Sequence, residues 1–129
     1  MPDIIATLRA KQNFTSSIGA IEAQVVNAEK KLGIKFANDY RECLISFGIM
    51  AYGGNELTGI CDYPRLNVVN VTEYERKKNP TVPMDLYVIE QAHFDDIVIW
   101  QSNTGEVYQS APNAPLVKIC DSLCEYIDM

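Results

Sequence analysis

The sequence predicts an α+β fold, with helices near both ends of the chain and an antiparallel sheet between them. Residues 18–47 carry apolar side chains at helical spacing, whereas the pattern from residue 49 onward is that of short strands. The connections between these strands are of hairpin length, which favours antiparallel pairing. The 129 residues, 47% hydrophobic and 22% charged, suffice for one core, so we expect a single domain over residues 1–129.

Two strongly patterned helices dominate the first part of the chain, after a short helix over residues 2–11. Gly33 is suited to end the first of the two as a left-handed cap, and Gly48 to end the second. A capping serine, Ser16 or Ser17, is expected to begin this pair. The apolar stripes predict these buried residues: Ile4, Ile5 and Leu8 in the short helix, Ile18, Ile21, Val25, Ala28 and Leu32 in the next, and Tyr40, Cys43, Leu44 and Phe47 in the last.

The middle of the chain predicts a strand, a loop and a further short helix. Residues 57–61 are typical of a strand, and residues 68–71 of a short extended segment. Thr72 and Glu75 match a capping box, in which each side chain bonds the backbone of the other residue. This motif predicts a helix over residues 73–78.

The C-terminal part predicts the interior of the sheet. Residues 86–89 and 97–100 are apolar on both alternating faces, which is typical of strands that are buried on both sides. The remaining elements follow in order: a hairpin turn over residues 102–105, its return strand over 106–109, an extended segment over 116–119 and a closing helix capped by Ser122.

All of the net negative charge lies in the C-terminal part of the chain. The formal charge of the whole chain is −6. Residues 1–78 contain nine acidic and ten basic side chains, whereas residues 79–129 contain eight acidic side chains against Lys118 alone. Such a surface repels phosphate backbones and attracts basic partners, so we expect no nucleic-acid binding. The alternative is that these charges serve only solubility, as in most acidic domains.

The residues needed for catalysis or metal binding are sparse. The single His93 precedes Asp95 and Asp96, but no G-x-S-x-G nucleophile pattern accompanies it, so we expect no enzyme and no catalytic residue. Phosphate-binding glycine motifs are absent from the sequence, and we expect no cofactor. The four cysteines include no C-x-x-C pair, so reduced thiols are favoured over a metal site. A small-molecule binder or hydrolase that uses His93 with an acid is the least favoured alternative.

Signals for membrane insertion or secretion are not evident in the sequence. No segment approaches the roughly 18–20 consecutive apolar residues of a membrane-spanning helix. The first residues lack the basic start and the apolar run of a secretory signal. We therefore expect a cytoplasmic protein without a membrane partner.

A protein partner is the class of ligand that this composition favours. Aromatic residues dominate binding hot spots and acidic residues steer basic partners, so a surface with both suits a protein. Trp100 has the alternative of core packing, because the run around it is apolar. The candidate steering charges are Glu90, Asp95, Asp96 and Glu106, and the candidate contacts at the sheet and its loops are Tyr52, Asn55, Glu56, Tyr63 and Trp100.

The helix pair also carries a longer motif, Glu29-x-x-Leu32-Gly33-x-x-Phe36-Ala37-x-Asp39-Tyr40. This motif resembles the signature of the SUKH superfamily, approximately E-x-x-L-G-x-x-L-P-x-D-Y. Phe36-Ala37 stands where the family usually has Leu-Pro. Further segments are similar to family landmarks in the same order: residues 54–59, residues 72–76 with a T-x-x-x-R pattern, residues 97–108 and residues 122–127.

The resemblance implies a twisted, mostly antiparallel sheet with helices packed on it, and a non-enzymatic binding role. SUKH domains occur in bacterial toxin-immunity proteins and in a fungal cell-wall regulator. The leading hypothesis is therefore an immunity protein that binds a cognate toxin, often a nuclease in this family, and blocks its active site. A nuclease holds phosphates with basic residues, which an acidic face complements. The alternative is a regulatory or scaffold domain without a toxin.

Overall fold

One antiparallel sheet of seven strands forms the centre of the structure, a computed structural model that describes residues 3–92 and 94–129. The order of the strands in the sheet follows their order in the chain. The strands are β1 (Thr15–Ser16), β2 (Met50–Tyr52), β3 (Asn55–Leu57), β4 (Tyr87–Gln91), β5 (Val98–Gln101), β6 (Val107–Ser110) and β7 (Val117–Cys120). The described residues also form five helices: α1 (Ile4–Arg9), α2 (Glu22–Leu32), α3 (Asn38–Phe47), α4 (Val68–Lys78) and α5 (Leu123–Ile127). The predicted α+β class with an antiparallel sheet is thereby confirmed.

The two faces of the sheet bury two different apolar clusters. The larger cluster joins α1, α2, α3 and α5 to one face, where Tyr87 and Ile99 point. The smaller cluster lies on the opposite face, where Val71 of α4 packs with Val88 and Trp100. Because successive side chains of a strand point to opposite faces, β4 and β5 contribute to both clusters. The prediction that these two strands are interior is confirmed.

The signature residues join the helix pair to the sheet. The buried Glu29 accepts a hydrogen bond from the backbone N–H of Phe36 at 2.9 Å, which fixes the connection between α2 and α3. Asp39, in the first turn of α3, accepts hydrogen bonds from Gln101 Nε2 at 3.1 Å and from the backbone N–H of Leu123 at 2.9 Å. One carboxylate therefore ties α3 to both β5 and α5, an architectural role.

The tyrosine of the same signature connects α3 to the far side of the larger cluster. The Tyr40 hydroxyl lies 2.8 Å from Thr58 Oγ1, and Thr58 in turn donates to the Val88 carbonyl at 2.7 Å. The rings of Phe36, Tyr40 and Tyr87 pack with centroids 4.9–5.3 Å apart. Burial raises the pKa of Tyr40 well above its ordinary value, so its hydroxyl stays protonated.

The start of the second helix differs from the prediction. Helix α2 begins at Glu22, and the side chains of Ile18 and Ile21 are 90% and 65% exposed instead of buried. Ser17 does not cap this helix, because its hydroxyl donates to the Phe47 carbonyl at 3.1 Å. The Ile21 N–H instead donates a hydrogen bond to Gln24 Oε1 at 2.9 Å, and this bond caps the first turn of the helix.

The middle of the chain contains the largest error of the prediction. The expected strand over 57–61 is shorter and earlier, since β3 spans Asn55–Leu57. The segment 68–71 is helical instead of extended, because Asn67 Oδ1 accepts from the N–H of Val69 at 3.0 Å and so caps α4. Thr72 is buried inside α4, and its hydroxyl oxygen accepts a hydrogen bond from the Val88 N–H at 3.0 Å. The predicted capping box at Thr72 is wrong.

Several local signals at element ends are confirmed. Gly33 ends α2 with a φ of 69°, and Gly48 ends α3 with a φ of 74°. Ser122 caps α5 by accepting from the Glu125 N–H at 3.1 Å.

All four cysteines are free thiols. Among the described helices, none has the length and apolar character to cross a membrane.

Candidate protein-binding surface

The sheet topology brings three connections to one end of the sheet. Because neighbouring strands are antiparallel and follow chain order, the β2–β3, β4–β5 and β6–β7 connections share that end. Two of them carry predicted contact residues: Asn55 follows the β2–β3 turn, and Asp95 and Asp96 lie in the β4–β5 connection. Glu106, in the β5–β6 turn, lies at the opposite end.

A groove of about 370 Å³ lies between α4 and the β4–β5 connection. Two aromatic side chains on it are largely in solvent, since Tyr74 is 56% exposed and Phe94 is 65% exposed. Exposed aromatic residues beside charged ones are typical of binding hot spots. We call this feature the acidic groove; the residues that define it are Tyr74, Glu75, Lys78, Gln91, Phe94, Asp95 and Asp96.

Helix α4 supplies one wall of the acidic groove. Tyr74 and Lys78 are one helical turn apart and share a face, with the Lys78 ammonium 5.2 Å from the centroid of the Tyr74 ring. The Glu75 side chain is buried at the base, where Oε2 accepts from Gln91 Nε2 at 2.6 Å. Its other oxygen accepts from Asn79 Nδ2 at 3.2 Å.

The β4–β5 connection supplies the opposite wall through an unusual backbone. Asp95 and Asp96 both have positive φ angles, 56° and 52°. Aspartate tolerates this left-handed conformation better than most residues, because its short side chain bonds locally. Both aspartates are exposed. The structure therefore places both Asp95 and Asp96 at the acidic groove.

A second pair of charges lies next to the groove. Arg65 binds Glu56 with both guanidinium ends, at 2.9 and 3.1 Å. This pair lines a small cavity together with Gln91, which also lines the acidic groove. Tyr63, in the loop that carries Arg65, is 66% exposed. Glu56 thus lies beside the acidic groove, but its charge is already compensated by Arg65.

Three of the predicted partner-binding residues lie in the interior: the steering charge Glu90 and the contacts Tyr52 and Trp100. Trp100 is completely buried in the smaller cluster, and its indole Nε1–H donates to Ser110 Oγ at 2.9 Å. This is the core-packing alternative. Tyr52 is 8% exposed and Glu90 is 5% exposed, so neither is part of the surface.

A register shift in β4 explains the position of Glu90. The pairing with β5 slips between Val88 and Glu90, which leaves Glu90 opposite Ile99 on the face of the larger cluster. There Glu90 accepts a hydrogen bond from the Tyr126 hydroxyl. Burial, and then this bond, raise the pKa of Tyr126. Alternation along the sequence does not reveal such a shift.

Glu106 is held by its own turn, away from the groove. Its carboxylate accepts from Thr104 Oγ1, and from Ser102 Oγ at 2.9 Å. These bonds, together with a backbone N–H, lower the pKa of Glu106 to about 2. Because the folded-state pKa is depressed, the stability it contributes is present above the unfolded-state value and is lost as pH falls towards 2.

We therefore expect Glu106→Gln to flatten the acid limb of the stability curve. Neutral glutamine cannot lose a proton, so the difference in unfolding free energy between wild type and variant should shrink as pH falls from 5 to 2. Urea denaturation at several pH values measures this. A difference that stays constant down to pH 2 would contradict the lowered pKa.

Five residues of the groove are not among the predicted site residues: Tyr74, Glu75, Lys78, Gln91 and Phe94. The signal for Phe94 was present, since it directly precedes Asp95-Asp96 in the sequence. Tyr74 and Lys78 have the spacing of neighbours on a helix, although their position over β4 is a tertiary feature. His93 lies outside the described residues. Its use in hydrolysis therefore stays an untested alternative. In residues 3–92 and 94–129, no group of three His, Cys, Asp or Glu side chains is arranged to hold a metal ion.

Comparisons with known proteins place the fold. The SUKH_6 family model, described as SMI1-KNR4 cell-wall, matches residues 22–127. No curated protein matches the chain. The crystal structure of a protein from Pseudomonas syringae pv. tomato is similar, with a TM-score of 0.72 and 20% identity over 99% of this chain and 96% of that one. At this identity, the likeness shows a shared fold alone.

Proposed function

The chain belongs to the SUKH superfamily of SMI1-KNR4 domains, and on this premise we propose that it is an immunity protein. It binds a cognate protein toxin, of nuclease type, through the acidic groove and thereby blocks the toxin's active site. SUKH domains are often immunity proteins. The observation that carries the proposal is the groove itself, in which exposed Tyr74 and Phe94 flank Asp95 and Asp96.

The charge of the groove supports a basic partner. Glu75, Asp95 and Asp96 face a single cation, Lys78, among the residues that line it. A nuclease needs basic side chains to hold phosphates, so its active site is complementary to such a surface. The exposed rings supply apolar contact area that becomes buried in the complex. The role proposed for the chain in this complex is binding, without a chemical step.

The proposal is tested by searching the neighbouring genes for a toxin domain and co-expressing that domain with this chain. We expect the wild-type chain to protect cells from that domain and to copurify with it. Phe94→Ala should abolish protection, because hot-spot aromatic residues contribute about 2 kcal/mol or more, roughly thirtyfold in affinity. The matched control is Ile45→Ala, another exposed apolar residue, which lies on α3 outside the groove and should still protect. A wild-type chain that neither protects nor copurifies would refute the proposal.

The second candidate is a regulatory scaffold without a toxin, which the cell-wall description of the matching family favours. In that case the same purification recovers resident cellular proteins, and co-expression with the toxin domain gives no protection. Phe94→Ala should then fail to copurify with those cellular proteins, instead of with the toxin domain.

A further inference from the structure

The base of the acidic groove holds a buried carboxylate, that of Glu75. Glu75 is only 3% exposed, and its hydrogen bonds come from the neutral amides of Gln91 and Asn79. In the described part of the chain, no lysine or arginine forms an ion pair with it. A buried charge is normally compensated by an opposite charge, because leaving water is costly for an ion. Glu75 therefore marks a place where a cation is favoured.

The walls of the groove suit a planar cation. Asp95 and Asp96 add carboxylates on the side opposite α4, and the Tyr74 and Phe94 rings are exposed beside them. A guanidinium group donates several hydrogen bonds in one plane and also stacks on aromatic rings. An ammonium group is a compact point charge without a face for stacking. Carboxylates on two walls together with aromatic rings therefore favour arginine over lysine.

The free protein already holds a cation in this groove. The Lys78 ammonium lies 5.2 Å from the centre of the Tyr74 ring. This is the geometry of a cation–π contact, which shows that the Tyr74 ring can accept a positive group. The neighbouring Arg76 is not available, since its Nη2 donates to the carbonyls of Leu32 and Met84.

We propose that the acidic groove is a receptor for one arginine side chain of the protein partner, and that Lys78 competes for the same place. The incoming guanidinium binds Glu75 at the base and Asp95 or Asp96 at the wall, and it displaces the Lys78 ammonium from the Tyr74 ring. This inference rests on the proposed function, in which the partner presents a basic surface.

Titration of the full chain with N-acetyl-arginine amide, followed by NMR, tests the inference. We expect shifts of the Gln91 side-chain amide and of the Tyr74 and Phe94 rings. The uncharged isostere N-acetyl-citrulline amide should produce none. Glu75→Gln should weaken the arginine response by at least about tenfold, since a hydrogen bond between two charged groups is stronger than one to a neutral group. The double variant Asp95→Asn/Asp96→Asn, exposed and so compatible with folding, should also weaken it.

A matched pair of lysine variants tests the competition. Lys78→Ala should tighten arginine binding by about threefold, because an exposed cation–π contact is worth roughly 0.5–1 kcal/mol. Lys77→Ala removes the same charge from the adjacent position outside the groove and should leave the affinity unchanged. Equal effects of the two variants would overturn the competition.

Equal binding of citrulline, or full affinity in the Asp95→Asn/Asp96→Asn variant, would overturn the receptor. The outcome is separable from that of the proposed function. Selective arginine binding by a chain that gives no protection from the toxin domain upholds the receptor and refutes the immunity role. Protection by a chain that does not discriminate arginine from citrulline upholds the immunity role and refutes the receptor.

Discussion

Replacing Gly59 by alanine should destabilise the protein by on the order of 4 kcal/mol or more. A Cβ atom at this position would lie 1.8 Å from the Gly48 carbonyl oxygen, a backbone atom. The two segments cannot separate easily, because Gly59 N–H donates to Leu66 and Ile60 N–H donates to Gly48. Urea denaturation of wild type and variant measures the change in unfolding free energy.

Gly53→Ala is the matched control for this substitution. Gly53 has a φ of 47°, but nothing lies within 4 Å of an added Cβ. The control should therefore cost only the strain of the left-handed backbone, about 1–2 kcal/mol. Equal losses in the two variants would show that the junction between Gly48 and Gly59 is not the close contact described. Gly59 ends one of the family landmarks, so the test also assigns that landmark to architecture.

Replacing Trp100 by alanine should cost about 3–5 kcal/mol, the usual range for a large buried aromatic residue. The indole is completely buried and its N–H is bonded to Ser110, so the variant leaves both a cavity and an unpaired hydroxyl. Trp100 is the only tryptophan, so unfolding of the variant is followed by circular dichroism instead of tryptophan fluorescence.

Tyr74→Ala is the contrasting variant. Its ring is 56% exposed, so its removal should change the unfolding free energy by no more than about 1 kcal/mol. It should instead weaken binding of the toxin domain. If Trp100→Ala kept wild-type stability, or Tyr74→Ala lost most of it, the assignment of one aromatic to the core and the other to the surface would be wrong.

Some local signals in the sequence predicted the ends of elements correctly, although the expected serine cap of α2 and the capping box at Thr72 were wrong. Gly33 and Gly48 need positive φ angles at helix ends, and Ser122 has the side chain that an exposed N–H requires. Such requirements involve only a few neighbouring residues. The signature around Glu29 and Asp39 added the family, although it did not reveal that the buried Glu29 and the partly buried Asp39 both connect elements of the fold.

Tertiary contacts account for the misplaced start of the second helix. The apolar stripe in the sequence included Ile18, but residues 17–20 run along the end of α3, where Ala20 N–H donates to the Leu44 carbonyl at 2.8 Å. Gly19 allows this approach, since a Cβ there would lie 2.0 Å from the Ile45 carbonyl oxygen. The periodic pattern of apolar residues does not show that residues 17–20 contact α3 and are therefore not helical.

In the candidate site, too, features that depend on local sequence were predicted and features that depend on tertiary contacts were not. Charge and composition identified Asp95 and Asp96, because acidic residues in a strand connection are exposed in most folds. The groove depends on α4 lying beside β4, which places Glu75 against Gln91, sixteen residues further along the chain. Glu90 was wrongly predicted as a steering charge and Trp100 as a contact, because burial depends on a register shift and on packing across the sheet.

The association rate with the toxin domain tests most directly whether the acidic groove is the binding surface. The double variant Asp95→Asn/Asp96→Asn should lower the rate constant at low salt by about tenfold and flatten its salt dependence. The control Glu42→Gln/Asp85→Asn removes two negative charges from exposed positions outside the groove, and it should lower the rate by less than about threefold. A groove variant that associates at the wild-type rate, or no more slowly than the control, would contradict binding through this groove.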